Sequence, residues 1–287
     1  MKRLLIAALL LSGTAQAFDL GSALQKLQDP ETRKALGIGK KMLKSLKEIP
    51  EPQEIEIGEG VAANLLGAAA LVRNDALQQY VNNVGLWLAL HSERPGLPWR
   101  FGVTDDPDVN AFAAPGGTIL ITRGLYEQLR NEAELAGVLA HEIAHVVQRH
   151  QLKAIKSALG REWQLELAQA VAEKKSTRDA ALSLKAFTAG TELFARGLDK
   201  NDEFEADRMG VVIAARAGYN PFGLVGSLQT LDAVNPQDGA VALMFKTHPS
   251  PAKRLEALAA AMGAQLDQYA ESGQEPARFQ ALSSAQK

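Results

Sequence analysis

Two histidines and a glutamate lie within five consecutive residues of a strongly apolar stretch, as His141, Glu142 and His145. Asn131 precedes this stretch and is a residue type that caps helices. A helix turns about 100° per residue, so side chains four positions apart lie nearly above one another. We therefore predict a buried helix over about residues 131–151 that carries both imidazoles on one face.

This histidine pair is typical of a zinc site in a hydrolase. Two imidazoles on one helix face can bind one zinc ion, and a catalytic zinc keeps a fourth position open for water. Zinc lowers the pKa of its water from about 16 to about 7, and Glu142 lies on the adjacent flank to take the proton. The alternative is a chance match among the five histidines of the chain. Burying two unpaired histidines and a glutamate is costly, so a metal explains them better.

The third zinc ligand must come from another part of the chain. His150 is five residues beyond the second histidine of the pair and is expected to point away, and His91 precedes a surface loop. The acidic helix around 202–207 is the better source, because Glu203 and Asp207 are four residues apart and share a face. One carboxylate can bind zinc while the other orients a ligand histidine. The alternative is a solvated acidic helix start.

The first residues are typical of a secretory signal peptide. Lys2 and Arg3 precede an apolar run over 4–11, and Ala15 and Ala17 form a small-x-small cleavage site. The run is shorter than the about 20 residues that a membrane-spanning helix needs. We expect a signal peptide over 1–17, cleavage after Ala17 and export to the periplasm.

Composition excludes several kinds of site and partner. The absence of cysteine excludes disulfides, thiolate metal sites and cysteine nucleophiles. A formal net charge of −2 gives no electrostatic argument for nucleic-acid binding. No stretch after the signal is apolar enough to predict a transmembrane helix.

Periodicity and turn residues predict an α+β fold, predominantly helical, with a small β-sheet beside the His141 helix. We divide the chain into an N-terminal helical segment over 18–58, a main domain over 59–264 and a disordered tail over 265–287. Pro50 and Pro52 are expected to end the first helix, which covers 20–48. Further helices are predicted over 59–91, 201–217 and 251–262, with two more in 152–200, and strands over 99–104 and 118–122.

The motifs together resemble a known family over roughly residues 60–260. The segments that carry the resemblance are 110–117, 122–125, 139–145, 203–207 and 248–254. They are similar to the integral-membrane and periplasmic zinc endopeptidases, the family that includes HtpX, the CAAX prenyl endopeptidases and BepA. Without a predicted membrane span, the chain is most similar to the soluble BepA-like branch. We expect it to lack the tetratricopeptide-repeat domain of that branch.

The resemblance implies a zincin-type domain with one zinc ion per chain. It implies His141, His145 and Glu203 as the zinc ligands, Glu142 as the general base and Asp207 beside the ligands.

The resemblance also implies a place near the zinc for His248, in one of two roles. It can occupy the open zinc position and hold the enzyme inactive, or it can donate to the oxyanion as a catalytic group. A structural histidine before a proline turn is the alternative. Arg254 is expected to hold the same loop or to neutralise a carboxylate.

Two segments bear on how a substrate would bind. The strand 118–122, or the segment around Asn110, is expected to form an exposed sheet edge to which an extended peptide can add. Residues 152–200 form either a lid over the cleft or plain helical packing.

By resemblance, the expected function is hydrolysis of peptide bonds in misfolded or stalled envelope proteins, as part of periplasmic quality control. The expected partners are unfolded or misassembled polypeptides, with peripheral contact to the membrane or to outer-membrane assembly machinery. One alternative is a chaperone-like assembly factor with a closed or structural zinc site. Another is a zinc hydrolase of a non-peptide envelope substrate, such as a murein crosslink. Glu142 discriminates between a hydrolase and a protein with a structural zinc site, because a structural site needs no general base.

Overall fold

Helices packed against one small sheet make up the part of the chain that the computed structural model describes, which is residues 49–157, 197–234, 239–270 and 272. The helices are α1 (Glu51–Ala68), α2 (Asp75–Leu90), α3 (Arg123–Gln128), α4 (Glu132–Val147), α5 (Lys200–Arg216), α6 (Gly223–Asp232), α7 (Gly239–Thr247) and α8 (Pro251–Met262), followed by a 3-10 helix (Ala264–Tyr269). Residues 150–157 are also helical. The strands are β1 (Arg100–Thr104), β2 (Ala111–Ala114) and β3 (Thr118–Thr122). The predicted mainly helical fold with a small sheet is confirmed.

The stretch predicted as one helix over 59–91 is divided into α1 and α2, so that prediction was wrong. Asn74 caps the second helix, since its side-chain oxygen accepts a hydrogen bond from the Leu77 amide at 3.1 Å. Between the helices, Leu71 forms an isolated antiparallel bridge with Thr104 at the end of β1. The prolines near residue 50 begin α1, where Pro52 lies in the first turn.

The sheet has the strand order β1-β3-β2. β1 pairs parallel to β3, with Arg100 opposite Thr118, and β2 pairs antiparallel to β3, with Ala111 opposite Ile121. The strand β3 is therefore central, so of the two segments expected to form a sheet edge, 118–122 was wrong and the segment around Asn110 agrees with the structure. In the described part of the chain, the edge beside the candidate site is β2, which begins directly after Asn110.

Helix α4 lies at the centre of the fold. Every residue from Glu132 to Val146 is buried, so the helix is covered on all sides. The predicted cap is present, because the Asn131 side-chain oxygen accepts a hydrogen bond from the Glu134 amide at 3.0 Å. The helix ends at Val147, four residues before the predicted end.

Helix α5 crosses α4 at very short range. A β-carbon placed on Gly210 would lie 2.9 Å from the backbone nitrogen of His141, closer than real β-carbons approach backbone atoms. Glycine at position 210 lets the two backbones approach each other closely. The point of approach on α4 is His141, the first histidine of the pair. The crossing therefore sets the distance between the histidine pair and the acidic residues of α5.

Several predictions lie outside the described residues. These are the signal peptide over 1–17, the helix over 20–48, most of the segment 152–200 with its two possible roles, and the predicted tail 265–287 except for residues 265–270 and 272. The 3-10 helix occupies the first residues of that predicted tail. None of the helices in the described ranges is long and apolar enough to cross a membrane.

Candidate metal centre

The two histidines predicted on one helix face lie together in the structure. The Nε2 atoms of His141 and His145 are 3.1 Å apart, and both side chains are buried. Glu203 on α5 lies opposite them, with Oε2 at 3.7 Å from His141 Nε2 and Oε1 at 3.5 Å from His145 Nε2. The residues predicted as metal ligands from two distant segments therefore converge on one point.

The spacing of these three donors fits a zinc ion. Ligands at 2.0–2.2 Å in a tetrahedral site lie about 3.4 Å from one another, and the observed separations run from 3.1 to 3.7 Å. Oε1 of Glu203 is buried and accepts no hydrogen bond from any residue in the described ranges. A buried carboxylate oxygen in that condition is costly unless a cation binds it. Two imidazoles and one carboxylate are also a donor set typical of catalytic zinc.

Asp207 lies directly behind the first histidine. Its Oδ1 is 2.9 Å from Nδ1 of His141, so the ring can donate its Nδ1 hydrogen and leave Nε2 free for a metal. Arg254 donates from Nε to Oδ2 of the same carboxylate at 3.0 Å and from Nη2 to Oδ1 at 2.5 Å. Burial acts to raise the pKa of Asp207, but the Arg254 guanidinium and His141 outweigh it and hold that pKa below its usual range. Arg254 thus neutralises a carboxylate, which is one of the two roles expected for it.

Glu142 is buried beside the three donors. Burial raises the pKa of its carboxyl group, and the neighbouring His141 and His248 only partly oppose that shift. A carboxylate with a raised pKa accepts a proton more readily than an ordinary glutamate, as a general base must.

His248 also reaches the site, through Glu203. Its Nδ1 lies 2.7 Å from Oε2 of that carboxylate. Burial lowers the pKa of His248, but the carboxylate outweighs this effect and the net shift is upward. The same contact acts in the other direction on Glu203, where burial is outweighed by the surrounding histidines and the pKa falls well below its usual value.

His150 was expected to point away from the metal face, and it lies outside the three-donor cluster, but its contact with His145 was not predicted. Its ring is buried, and its Nδ1 lies 2.9 Å from Nδ1 of His145. The prediction assumed one continuous helix, whereas α4 ends at Val147 and the chain turns before a new helical segment begins at residue 150. The one sequence signal was the residue type itself, a third histidine close to the pair. His91 lies outside the site as expected, with Nδ1 at 2.8 Å from the Trp87 carbonyl oxygen.

Two pockets share Glu142 and His248 in their walls, together with Asn110 and Ala111 at the β2 edge. The residues that only the first pocket contributes are mostly polar, and those that only the second contributes are mostly apolar. The first pocket adds Phe112, His145, Gln151, Gly197, Leu198, Glu203 and Thr247. The second pocket adds Leu125, Val138, His141, Leu224, Ser227, Leu228, Leu231, Met244 and Arg254.

Comparison with known proteins agrees with this geometry. Residues 75–262 match the model of peptidase family M48. The chain belongs to peptidase family M48. This range contains all the residues assigned to the site above. Family M48 membership confirms that the chain carries a metallopeptidase domain, as the histidine pair predicted.

Individual relatives of this M48 chain come from bacteria and from mitochondria. The β-barrel assembly-enhancing protease of Escherichia coli K12 is 30% identical over 206 residues, which is 71% of this chain and 42% of that protein. The mitochondrial metalloendopeptidase OMA1 of Arabidopsis thaliana is 33% identical over 177 residues, 60% of this chain and 33% of that protein. The metalloprotease YcaL of Escherichia coli K12 is 29% identical over 173 residues. The chain therefore spans less than half of the first two relatives.

Proposed function

We propose that this M48 protein is a zinc-dependent endopeptidase of the periplasm that cleaves misfolded or stalled envelope proteins, including those bound for the outer membrane. The observation that carries the proposal is the convergence of His141, His145 and Glu203 beside Glu142 in a pocketed cleft. The name of the Escherichia coli relative, a β-barrel assembly-enhancing protease, supports the choice of substrate class.

Each residue of the site has a defined role in the proposed hydrolysis. A zinc ion bound by the three donors would supply a Lewis acid for the peptide carbonyl and would acidify water. Glu142 takes one proton from the attacking water as the new C–O bond forms. It then gives that proton to the amine nitrogen as the C–N bond breaks, which leaves a carboxylic acid and an amine. The second proton of the water then passes from the acid to the amine, so that the products are a carboxylate and an ammonium group. Asp207 holds the His141 ring in the orientation that leaves its Nε2 free.

The β2 edge gives the cleft a means of binding extended polypeptides. β2 lies at the end of the strand order β1-β3-β2, and Ala111 and Phe112 line the first pocket. A substrate strand can add to this edge through backbone hydrogen bonds, which depend little on sequence. Such binding suits unfolded chains, because a folded protein offers few free backbone groups.

A chaperone-like role with a closed metal site is the second candidate, and the His248 contact is the observation in its favour. Nδ1 of His248 lies 2.7 Å from Oε2 of the proposed ligand Glu203, so this ring is in direct contact with the ligand set. If His248 closes the site, removing it releases activity. If His248 donates to the oxyanion, removing it lowers kcat.

Zinc content and casein cleavage test the proposal in the purified protein and three variants, Glu142→Gln, His248→Ala and Glu256→Gln. Glu256 lies exposed on α8 and serves as the matched control. We expect one zinc per chain throughout, with cleavage abolished only by Glu142→Gln. A gain in His248→Ala identifies a closing residue, and a loss identifies an oxyanion donor. Zinc binding without cleavage in every variant would instead favour the chaperone-like role.

A further inference from the structure

The backbone makes an unusual turn directly after the metal-binding helix. Arg149 has φ of 57°, and among the described residues it is the one non-glycine residue with positive φ. Residues other than glycine rarely adopt this left-handed backbone conformation, and those that do cluster at functional sites. The turn ends α4 and starts the helical segment 150–157 in a new direction, which brings His150 back toward the histidine pair.

A buried carboxylate from α1 holds this turn in place. Oε2 of Glu54 lies 3.0 Å from Nε of Arg149, and the Glu54 side chain is fully buried. Arg94 donates to both oxygens of the same carboxylate, at 2.8 and 2.9 Å, and to the carbonyl oxygen of Val146 at 3.2 Å. Contact with Glu54 thus helps to hold Arg149 in its left-handed conformation. A strained turn persists only where surrounding contacts hold it in this way.

The contact between His145 and His150 joins their Nδ1 atoms at 2.9 Å, and it restricts the tautomers of both rings. When His145 presents Nε2 to a metal, its hydrogen is on Nδ1 and must be donated. His150 can accept it only if its own Nδ1 carries no hydrogen, so the His150 hydrogen is on Nε2. The other metal histidine gives its Nδ1 hydrogen to Asp207 in the same manner. The two metal histidines therefore have one acceptor each.

Carboxylates on α5 favour the required tautomer of His150. Nε2 of His150 lies 3.8 Å from Oδ1 of Asp202 and 3.7 Å from Oε2 of Glu205. These two residues flank the proposed metal ligand on the same helix turn. Negative charge on this side attracts the hydrogen to Nε2 and leaves Nδ1 free to accept. Lys153 binds Asp202 at 2.7 Å, and Gln148 binds Glu205 at 2.9 Å, so both carboxylates are themselves held in place.

We propose that His150 is a positioning residue for the metal ligand His145. It accepts the Nδ1 hydrogen of His145, fixes the ring with Nε2 toward the metal, and is itself oriented by Asp202 and Glu205. This inference rests on the proposed metal site but not on the identity of the substrate. An acceptor at this place raises the basicity of the ligand, and loss of such a partner weakens metal binding about 10–100-fold.

A second cation held by His150, Asp202 and Glu205 is the competing explanation of the same cluster. The ammonium group of Lys153, at 2.7 Å from Asp202, already supplies a positive charge there. The two explanations differ in stoichiometry, since a positioning residue requires one zinc per chain and a second site requires two.

The test compares the zinc-loaded full-length protein with His150→Phe, His150→Asn and the matched control His91→Phe. Phenylalanine keeps the ring but removes the acceptor, whereas the asparagine oxygen can take the place of Nδ1. We expect His150→Phe to bind zinc 10–100-fold more weakly in competition with a zinc-binding dye. His150→Asn should recover most of this affinity, and His91→Phe should match the original protein. With casein as substrate, kcat should fall in His150→Phe while KM stays unchanged.

Three outcomes would overturn the inference: unchanged zinc affinity in His150→Phe, equal loss in both His150 variants, or two zinc ions per chain with only the second lost. A purely structural role for His150 would lower the unfolding midpoint of the zinc-free protein and leave the zinc affinity of the folded form unchanged. If the affinities change as expected but no variant cleaves casein, the proposed function fails while the positioning role stands.

Discussion

Glu142 and Glu203 lie in the same buried site, yet their surroundings give them opposite properties. Burial raises the pKa of Glu142, while burial of Glu203 is outweighed by three histidines that lower its pKa well below the usual value. A carboxylate that stays ionised suits metal binding, and one that readily takes a proton suits a general base. The chemistry of the two residues is thus set by their neighbours and not by their type.

Asp207 provides a test at the scale of one residue. In Asp207→Asn the His141 contact loses its charge and Arg254 is left as a buried cation without its anion. We expect zinc affinity to fall about 10–100-fold and the free energy of unfolding to fall by about 3–5 kcal/mol. Zinc competition and urea denaturation measure the two effects. Asp232→Asn, on the exposed end of α6, should leave both unchanged. Unaltered zinc affinity in Asp207→Asn would contradict the orienting role.

Residue spacing in the sequence predicted contacts within a helix better than contacts after a turn. The four-residue spacings of His141 with His145 and of Glu203 with Asp207 place each pair on one helix face, and the structure has them so. The contact of His145 with His150 escaped prediction, because it depends on a left-handed residue at a position where nothing in the sequence marks a turn.

At the scale of elements, the metal centre depends on how closely α4 and α5 cross. Gly210 lies where a β-carbon would meet the backbone of His141 at 2.9 Å. Because a backbone cannot move aside as a flexible side chain can, Gly210→Ala must push the helices apart. We expect a loss of about 1–3 kcal/mol in the free energy of unfolding, with weaker zinc binding.

Gly67→Ala is the matched control for Gly210→Ala. Gly67 is also helical but has open space around its α-carbon. Alanine should be neutral there or stabilising by up to about 1 kcal/mol. Calorimetry with and without zinc separates the two variants. Equal behaviour of both variants would show that the close crossing does not govern the site.

Elements were predictable where the sequence carries a local signal. The cap at Asn131 and the apolar run of β3 both gave correct starting points. The short strand β2 carries three alanines, which have low strand propensity, and its pairing with β3 is decided by tertiary contacts. Its own residues therefore did not predict a strand, although the segment around Asn110 was one of the two expected edges.

At the scale of the whole molecule, zinc should link helices that the chain connects only through a long segment. Ligands on α4 and α5 bind one ion, so zinc binds the folded state and stabilises it by mass action. A zinc concentration 100 times Kd adds about 2.7 kcal/mol, which corresponds to a rise in Tm of roughly 5–10 °C for a chain of this size. Thermal unfolding with zinc and with a chelator measures this shift. Glu203→Gln should abolish it, and a shift that survives in that variant would place the ion elsewhere.

The most direct test of the central claim compares Glu142→Gln with Glu203→Gln by mass spectrometry of casein products, with bound zinc measured in the same samples. We predict internal cleavage by the unaltered protein and none by either variant, with full zinc retained in Glu142→Gln and lost in Glu203→Gln. Cleavage by Glu142→Gln at the rate of the unaltered protein would contradict the assignment of Glu142 as the general base.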